Sequence, residues 1–203
     1  MGGFVPDPAE VAGRIVRLEA RPLRIAVDGV DCSGKSTFAD LLAGRVGALG
    51  RQVIRAEGDA FLLPRAQRHR RAYQGSVDYQ ALRERLLEPL GPGGDRAYRT
   101  GVRDAATDRP IDAPSATAAE DAVLIVDGVF LQRREIRDCW DVVVWIDVPF
   151  QEALRRALLR DAERFGGREK ARARYLERYW PGQRRYLEEC HPGESANVVV
   201  TTG

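Results

Sequence analysis

The chain has 203 residues, 44% of them hydrophobic, with 32 basic against 30 acidic side chains for a net charge of +2. That length fits one domain with a sizeable core, and the balanced charge gives no electrostatic reason for nucleic acid or an anionic membrane as the main partner. No apolar run approaches the ~20 residues of a membrane span, and three scattered cysteines point to a reducing cytoplasm, not to a disulfide framework or a metal cluster.

The first 22 residues read as a short amphipathic helix, lacking the apolar stretch of a secretory signal. LRIAVDG (23–29) is a strand, and a helix follows over about 35–49. RQVIRAEGDAF (51–61) supplies a second strand ending near Glu57. Two irregular regions come next: 60–80 is basic and aromatic without a period, and 91–118 is rich in Gly, Pro and Asp. Loops this long are functional or disordered, so 60–118 is expected to carry the substrate-binding insertions. AVLIVDGVF (122–130) and WDVVVWIDVP (140–149) are the third and fourth strands. A long helix starts at 149 with Pro149 in its first turn, a second helical stretch covers about 169–190, and SANVVVTTG ends the chain as a last strand. Near-continuous apolar strands separated by helices predict an α/β, doubly wound domain around a mainly parallel five-stranded sheet.

One motif carries chemistry. Gly29-Val30-Asp31-Cys32-Ser33-Gly34-Lys35-Ser36 fits G-x-x-x-x-G-K-[ST] between an apolar strand and a helix. At this chain's composition, chance gives roughly one such match per thousand chains. Glycines let the backbone curl so that N–H groups point at phosphate oxygens, and the helix N-terminus adds its positive end. Lys35 and Lys170 are the only lysines among the 32 basic residues. An ammonium fits a tight phosphate cradle where a planar guanidinium does not. Residues 29–36 with Thr37 are thus the nucleotide-binding set: Lys35 for the β- and γ-phosphates and Ser36 for Mg²⁺.

Ligands of open α/β sheets sit beyond the carboxyl ends of the strands, where three acids are delivered. Asp127, closing VLIVDG, is read as the metal-side carboxylate. Asp59, in EGDAF, precedes a loop and is read as the base that orients a substrate hydroxyl toward the γ-phosphate, close enough to join Ser36 and Asp127 on the metal side. Asp147 is read as a turn organiser.

In linked order these segments resemble the uridine kinase family of phosphate-loop kinases, relatives of phosphoribulokinase and bacterial pantothenate kinase. GVDCSGKST is similar to that family's phosphate loop, and GDAF to its segment with the catalytic aspartate (Asp59) and an aromatic (Phe61). SVDYQALRERLLEPL is similar to the segment whose aspartate (Asp78) binds sugar hydroxyls. VLIVDGVFLQRREIRDCWDVVVWIDVPFQEALRRALLRD is similar to the strand, acidic turn, strand and lid helix, with Asp127 in the turn and Arg156 and Arg160 as lid arginines that clamp phosphates. The resemblance spans about residues 23–200. It implies a three-layer phosphate-loop NTPase sandwich, a helical lid over about 155–172, and the use of ATP and Mg²⁺. The chain departs from the family in VRDAATD, where Arg103 and Asp108 stand in place of the Tyr and His that read a pyrimidine; an arginine there suits an anionic or differently shaped group. The lid lacks a second tight basic pair and offers Arg164 and Arg168 instead.

Other signals are weaker. RHRRAY (68–73) reads either as a phosphate-closing segment or as a solvated basic face. His69 and His191, the only histidines, are too separated for a metal site or a hydrolytic triad. Cys32 holds a variable loop position, and YLERYW (175–180) reads as helix packing. A GTPase switch fails because its guanine-reading N-K-x-D motif needs a lysine that Lys170, in REKA, does not supply. The reading is an ATP-dependent kinase of a small hydroxylated metabolite, nucleoside or polyol. A nucleoside monophosphate or pantothenate-type kinase and a noncatalytic nucleotide-binding regulator are the alternatives. Acceptor, nucleotide preference and homo-oligomeric state stay open.

Overall fold

The computed structural model describes residues 7–18, 21–68 and 75–202, and in it the apolar runs become a sheet of five parallel strands. The chain starts with α1 (Pro8–Ile15), whose first turn is fixed by Pro8 and by Asp7, whose Oδ1 accepts from the Glu10 N–H at 2.8 Å. β1 (Leu23–Gly29), α2 (Lys35–Ala48) and β2 (Val53–Glu57) follow, each within a few residues of its sequence expectation. A 3-10 turn over Gly58–Phe61 leads into the insertions. These hold α3 (Tyr79–Leu82), continued by a π-helical turn (Arg83–Leu87), and a small antiparallel pair, β3 (Ala97–Tyr98) with β4 (Ala116–Thr117). β5 (Val123–Gly128), β6 (Val142–Asp147), α4 (Phe150–Asp161), α5 (Arg168–Arg174), α6 (Trp180–Cys190), α7 (Pro192–Ser195) and β7 (Val198–Thr201) complete the chain.

The sheet order is β2-β5-β1-β6-β7, so β1 is the middle strand, and all seven of its residues are buried. Alternation of side chains across the sheet explains the three layers. Leu23, Ile25 and Val27 face α1 and α2, packing on Val11, Ile15, Phe38, Leu42 and Val46. Ala26 faces the opposite layer, where Leu82, Leu86, Leu87 and Leu90 cover β5 and the 3-10 turn after β2. Full burial of each such leucine contributes about 1.5–3 kcal/mol.

Four expectations are corrected or refined in detail. The helix expected from 149 through 166 ends at Asp161, and the one expected over 169–190 is interrupted by a π-helical turn at Tyr175–Tyr179. Residues 91–118 are not structureless, since β3 and β4 fold them back on themselves. Of the helix expected over 1–22, Pro8–Ile15 is helical. Residues 69–73 of the basic run, His69 included, lie outside the described residues. Among the described residues, no helix is long and apolar enough to cross a membrane.

Candidate active site

The phosphate loop joins β1 to α2 at the carboxyl edge of the sheet. A Cβ on Gly29 would lie 2.7 Å from Ser33 Oγ and 2.8 Å from the Ile146 carbonyl, so only glycine lets the loop leave β1 so close to β6. Gly34 sits at φ +99°, a left-handed conformation, with open space where a side chain would be. Its position is the N-cap of α2, and no side chain caps this helix end. The first-turn amides therefore face outward with no acidic residue to neutralise them, a cradle suited to phosphate. Lys35 is buried at the base of the loop and its Nζ donates to the Val30 carbonyl at 2.8 Å. Cys32 adopts φ +61°, half-buried; burial raises its thiol pKa, and its Sγ lies 3.7 Å from the Tyr175 hydroxyl.

Asp127 ends β5 beside this loop. Its Oδ2 accepts from the Ser36 hydroxyl at 2.6 Å, and its Oδ1 accepts from Arg55 Nη2 at 2.8 Å. A hydroxyl and a carboxylate joined at the mouth of an anion cradle are the hard oxygen donors that Mg²⁺ prefers, so these residues fit the ion. Gly58, after β2, packs against Gly128, the last residue of β5, with a Cβ on Gly128 only 3.3 Å from the Gly58 Cα. This close approach brings Asp59 into the neighbourhood of Asp127.

Asp59 lines a cavity of about 260 Å³ together with Asp31, Arg68, Arg160, Arg164 and Tyr179. Its side chain reaches solvent through the cavity mouth but is surrounded by protein elsewhere. That burial, followed by repulsion from Asp31, raises its pKa above the ordinary carboxylate value, while Lys35 acts in the opposite sense. A second pocket, lined by Cys32, Gly34, Lys35, Ser36, Thr37, Arg156 and Arg160, covers the phosphate loop. Arg160 borders both spaces. Arg156 also touches the loop, its Nη1 donating to the Ser33 carbonyl at 3.2 Å, while its Nε pairs with Glu152.

The remaining sequence candidates divide. Arg164 lines the Asp59 cavity, whereas Arg168 opens α5 and does not. Asp78 caps α3, accepting from the Ala81 N–H at 2.9 Å, and its own N–H donates to the Phe61 carbonyl. Phe61, expected to meet substrate, is instead fully buried against Leu82 and Leu86, because its ring is the apolar anchor of the turn that presents Asp59. Arg103 donates to the carbonyls of Leu62 (3.2 Å) and Asp108 (2.7 Å), bracing the insertion instead of lining the cavity. The Asp108 carboxylate pairs with Arg68 at 2.8 Å. Asp147, at the end of β6, lines neither space.

Two buried networks escaped the sequence reading. Gln183 of α6 clasps the phosphate loop: its Oε1 accepts from the Asp31 N–H at 2.9 Å and its Nε2 donates to Asp31 Oδ2 at 2.6 Å. Asp28, fully buried in β1, accepts from the Gly29 N–H, the Tyr186 hydroxyl and Gln132 Nε2. Its burial raises its pKa to about 6. An acid directly after the apolar run Ile25-Ala26-Val27 was the one available signal; nothing local marked Gln183 or Tyr186.

The sheet order, the glycine-lined loop and the two strand-end carboxylates define a phosphate-loop nucleotide-binding fold of the kinase type. Among solved structures it is similar to a protein from Bacillus stearothermophilus described as a possible uridine kinase, at 24% identity and a TM-score of 0.72, covering 95% of this chain and 97% of that one. It is also similar to a candidate fructose transport system kinase from Silicibacter sp. TM1040, at 21% identity and a TM-score of 0.74, covering 98% and 100%. The fold is thus that of the uridine kinase-like phosphate-loop kinases. No family model and no curated protein matches the sequence.

Proposed function

We propose that the chain is an ATP-dependent phosphotransferase that phosphorylates a hydroxyl of a small metabolite, a nucleoside or related polyol, in the cytoplasm. The observation that carries this reading is the meeting of two spaces at Arg160: the phosphate-loop pocket, with Lys35, and the cavity whose wall is Asp59. A nucleotide regulator needs the first space; only a transferase needs a carboxylate facing the second.

The first-turn amides of α2 and Lys35 would hold the triphosphate, and Ser36 with Asp127 the metal. When bound, MgATP supplies the transferable phosphoryl group and neutralises its charge. Asp59 would accept a hydrogen bond from the acceptor hydroxyl and orient its oxygen toward the phosphate-loop pocket. It would take the hydroxyl proton when the phosphoryl group that MgATP supplies passes to that oxygen, leaving ADP. Arg156 and Arg160, on α4, offset the negative charge of the transferring group.

The test is a coupled ADP-release screen over nucleosides, their monophosphates, pantothenate and sugars, repeated with Asp59→Asn and Lys35→Ala. The reading expects acceptor-dependent ADP release, its loss in Lys35→Ala, and a fall of about 10²–10⁴-fold in Asp59→Asn with ATP binding retained. Near-normal turnover in Asp59→Asn with the best acceptor would refute the catalytic assignment.

A further inference from the structure

The cavity beside Asp59 is polarised. Its lining takes the carboxylates of Asp31 and Asp59 from the loops after β1 and β2, and Asp161, Arg164 and Arg178 from the helical segments after β6. Two further arginines reach the space, but each has an acidic partner: Arg68 pairs with Asp108 at 2.8 Å and Arg160 with Asp161 at 3.0 Å. Among the described residues, neither Arg164 nor Arg178 is paired with a carboxylate. Each instead lies near an aromatic ring, with Arg164 5.5 Å from the Phe165 centroid and Arg178 5.9 Å from that of Tyr179. Such contacts engage a guanidinium through its face and leave its N–H edge available for an oxyanion.

These two arginines are set apart from the triphosphate machinery. Arg156 and Arg160 line the pocket over Lys35; Arg164 and Arg178 do not. An anion is repelled by Asp31, which Gln183 fixes and whose charge reaches Asp59. A ligand with an anion at one end and hydroxyls at the other would therefore be oriented by charge alone, hydroxyls toward Asp59. At about 260 Å³ the cavity falls just below the roughly 300–1,000 Å³ of pockets that take drug-sized ligands, which suits a sugar-sized acceptor better than a nucleotide.

We propose that the acceptor is a small polyol that itself bears a phosphomonoester or carboxylate, held by Arg164 and Arg178 while Asp59 receives the reacting hydroxyl. The inference rests on the kinase reading and narrows its substrate. It also moves the anion-recognising role from Arg103, which is occupied by carbonyls, to Arg164 and Arg178.

The experiment pairs each pentose or hexose monophosphate and each sugar acid with its neutral counterpart. ADP release is measured with wild type, Arg164→Gln and Arg178→Gln, and binding is measured by calorimetry on the chain saturated with Mg²⁺ and a nonhydrolysable ATP analogue. The proposal expects an anionic polyol to exceed its neutral partner about 100-fold or more in kcat/KM, and the phosphate and acid arms identify the anion. Either substitution should raise the KM of that acceptor roughly 10-fold or more while leaving the KM for ATP nearly unchanged. A neutral acceptor used as well as every anionic one overturns the proposal and leaves the kinase reading intact. So does a rise confined to the KM for ATP, which would assign these arginines to the triphosphate. Anion binding that is lost in Arg178→Gln, without ADP release from any acceptor, supports the anion site and refutes the kinase reading. No anion binding and no anion turnover refutes the site.

Discussion

Replacing Asp28 by Asn removes a carboxyl that the fold holds away from water between β1 and α6. Burial raises its pKa from 3.8 to about 6 despite hydrogen bonds from Tyr186, Gly29 and Gln132 that favour the ionised form. The folded chain thus keeps this proton up to about pH 6, while the unfolded chain releases it near the model-peptide value of about 3.9. Between those values the folded state binds more protons, so this group's contribution to stability is full below pH ~4 and is lost as pH rises through about 6. A shift of about two pKa units corresponds to ~3 kcal/mol at neutral pH. Asn keeps the shape and carries no charge, at a loss of ~1 kcal/mol in hydrogen bonding. Asp28→Asn should therefore stabilise the protein by about 2 kcal/mol at pH 7 and destabilise it by about 1 kcal/mol at pH 4. Urea melts of both proteins across that range, subtracted at each pH, cancel the other carboxylates and isolate this one. A difference that stays flat with pH would refute the reasoning.

Three further outcomes are expected. The elevated pKa of Asp59 places the acid limb of the kcat/KM profile above the pH at which an ordinary aspartate titrates, with activity falling as pH drops; a limb at or below the ordinary value would remove Asp59 as the base. Gln183→Leu leaves the Asp31 N–H and carboxylate without their clasp, and should cost about 1–3 kcal/mol in urea melts and weaken ATP binding measured by calorimetry. Arg103→Ala frees the carbonyls of Leu62 and Asp108, so it should lower kcat/KM by a similar factor for every acceptor; a change in acceptor preference would instead make Arg103 a specificity residue.

What could be read in advance follows from the range of the interactions involved. β5 and β6 were legible because burial on both faces writes them as nearly unbroken apolar runs, VLIVDG and VVVWID, and β1, β2 and β7 because short apolar runs lie between helical stretches. The phosphate loop was legible because its chemistry needs glycines and an ammonium at fixed spacing. β3 and β4 were not, since two-residue strands have no period to detect. The burial of Phe61 and the carbonyl partners of Arg103 were not legible because residue type alone does not distinguish a ring that anchors a turn from an exposed one, or a guanidinium satisfied by carbonyls from one left open. The Gln183 clasp on Asp31 joins residues 152 positions apart, and Tyr186 meets Asp28 across 158. Contacts of that separation are set by how α6 packs over the sheet, and no local pattern encodes them.

The most direct measurement is a crystal structure with Mg²⁺ and a nonhydrolysable ATP analogue. The account predicts the β- and γ-phosphates against the first-turn amides of α2 and Lys35 Nζ, the metal beside Ser36 and Asp127, and the Asp59 carboxylate facing the γ-phosphate across the cavity. A nucleotide bound away from this loop, or an Asp59 turned from the terminal phosphate, would contradict it.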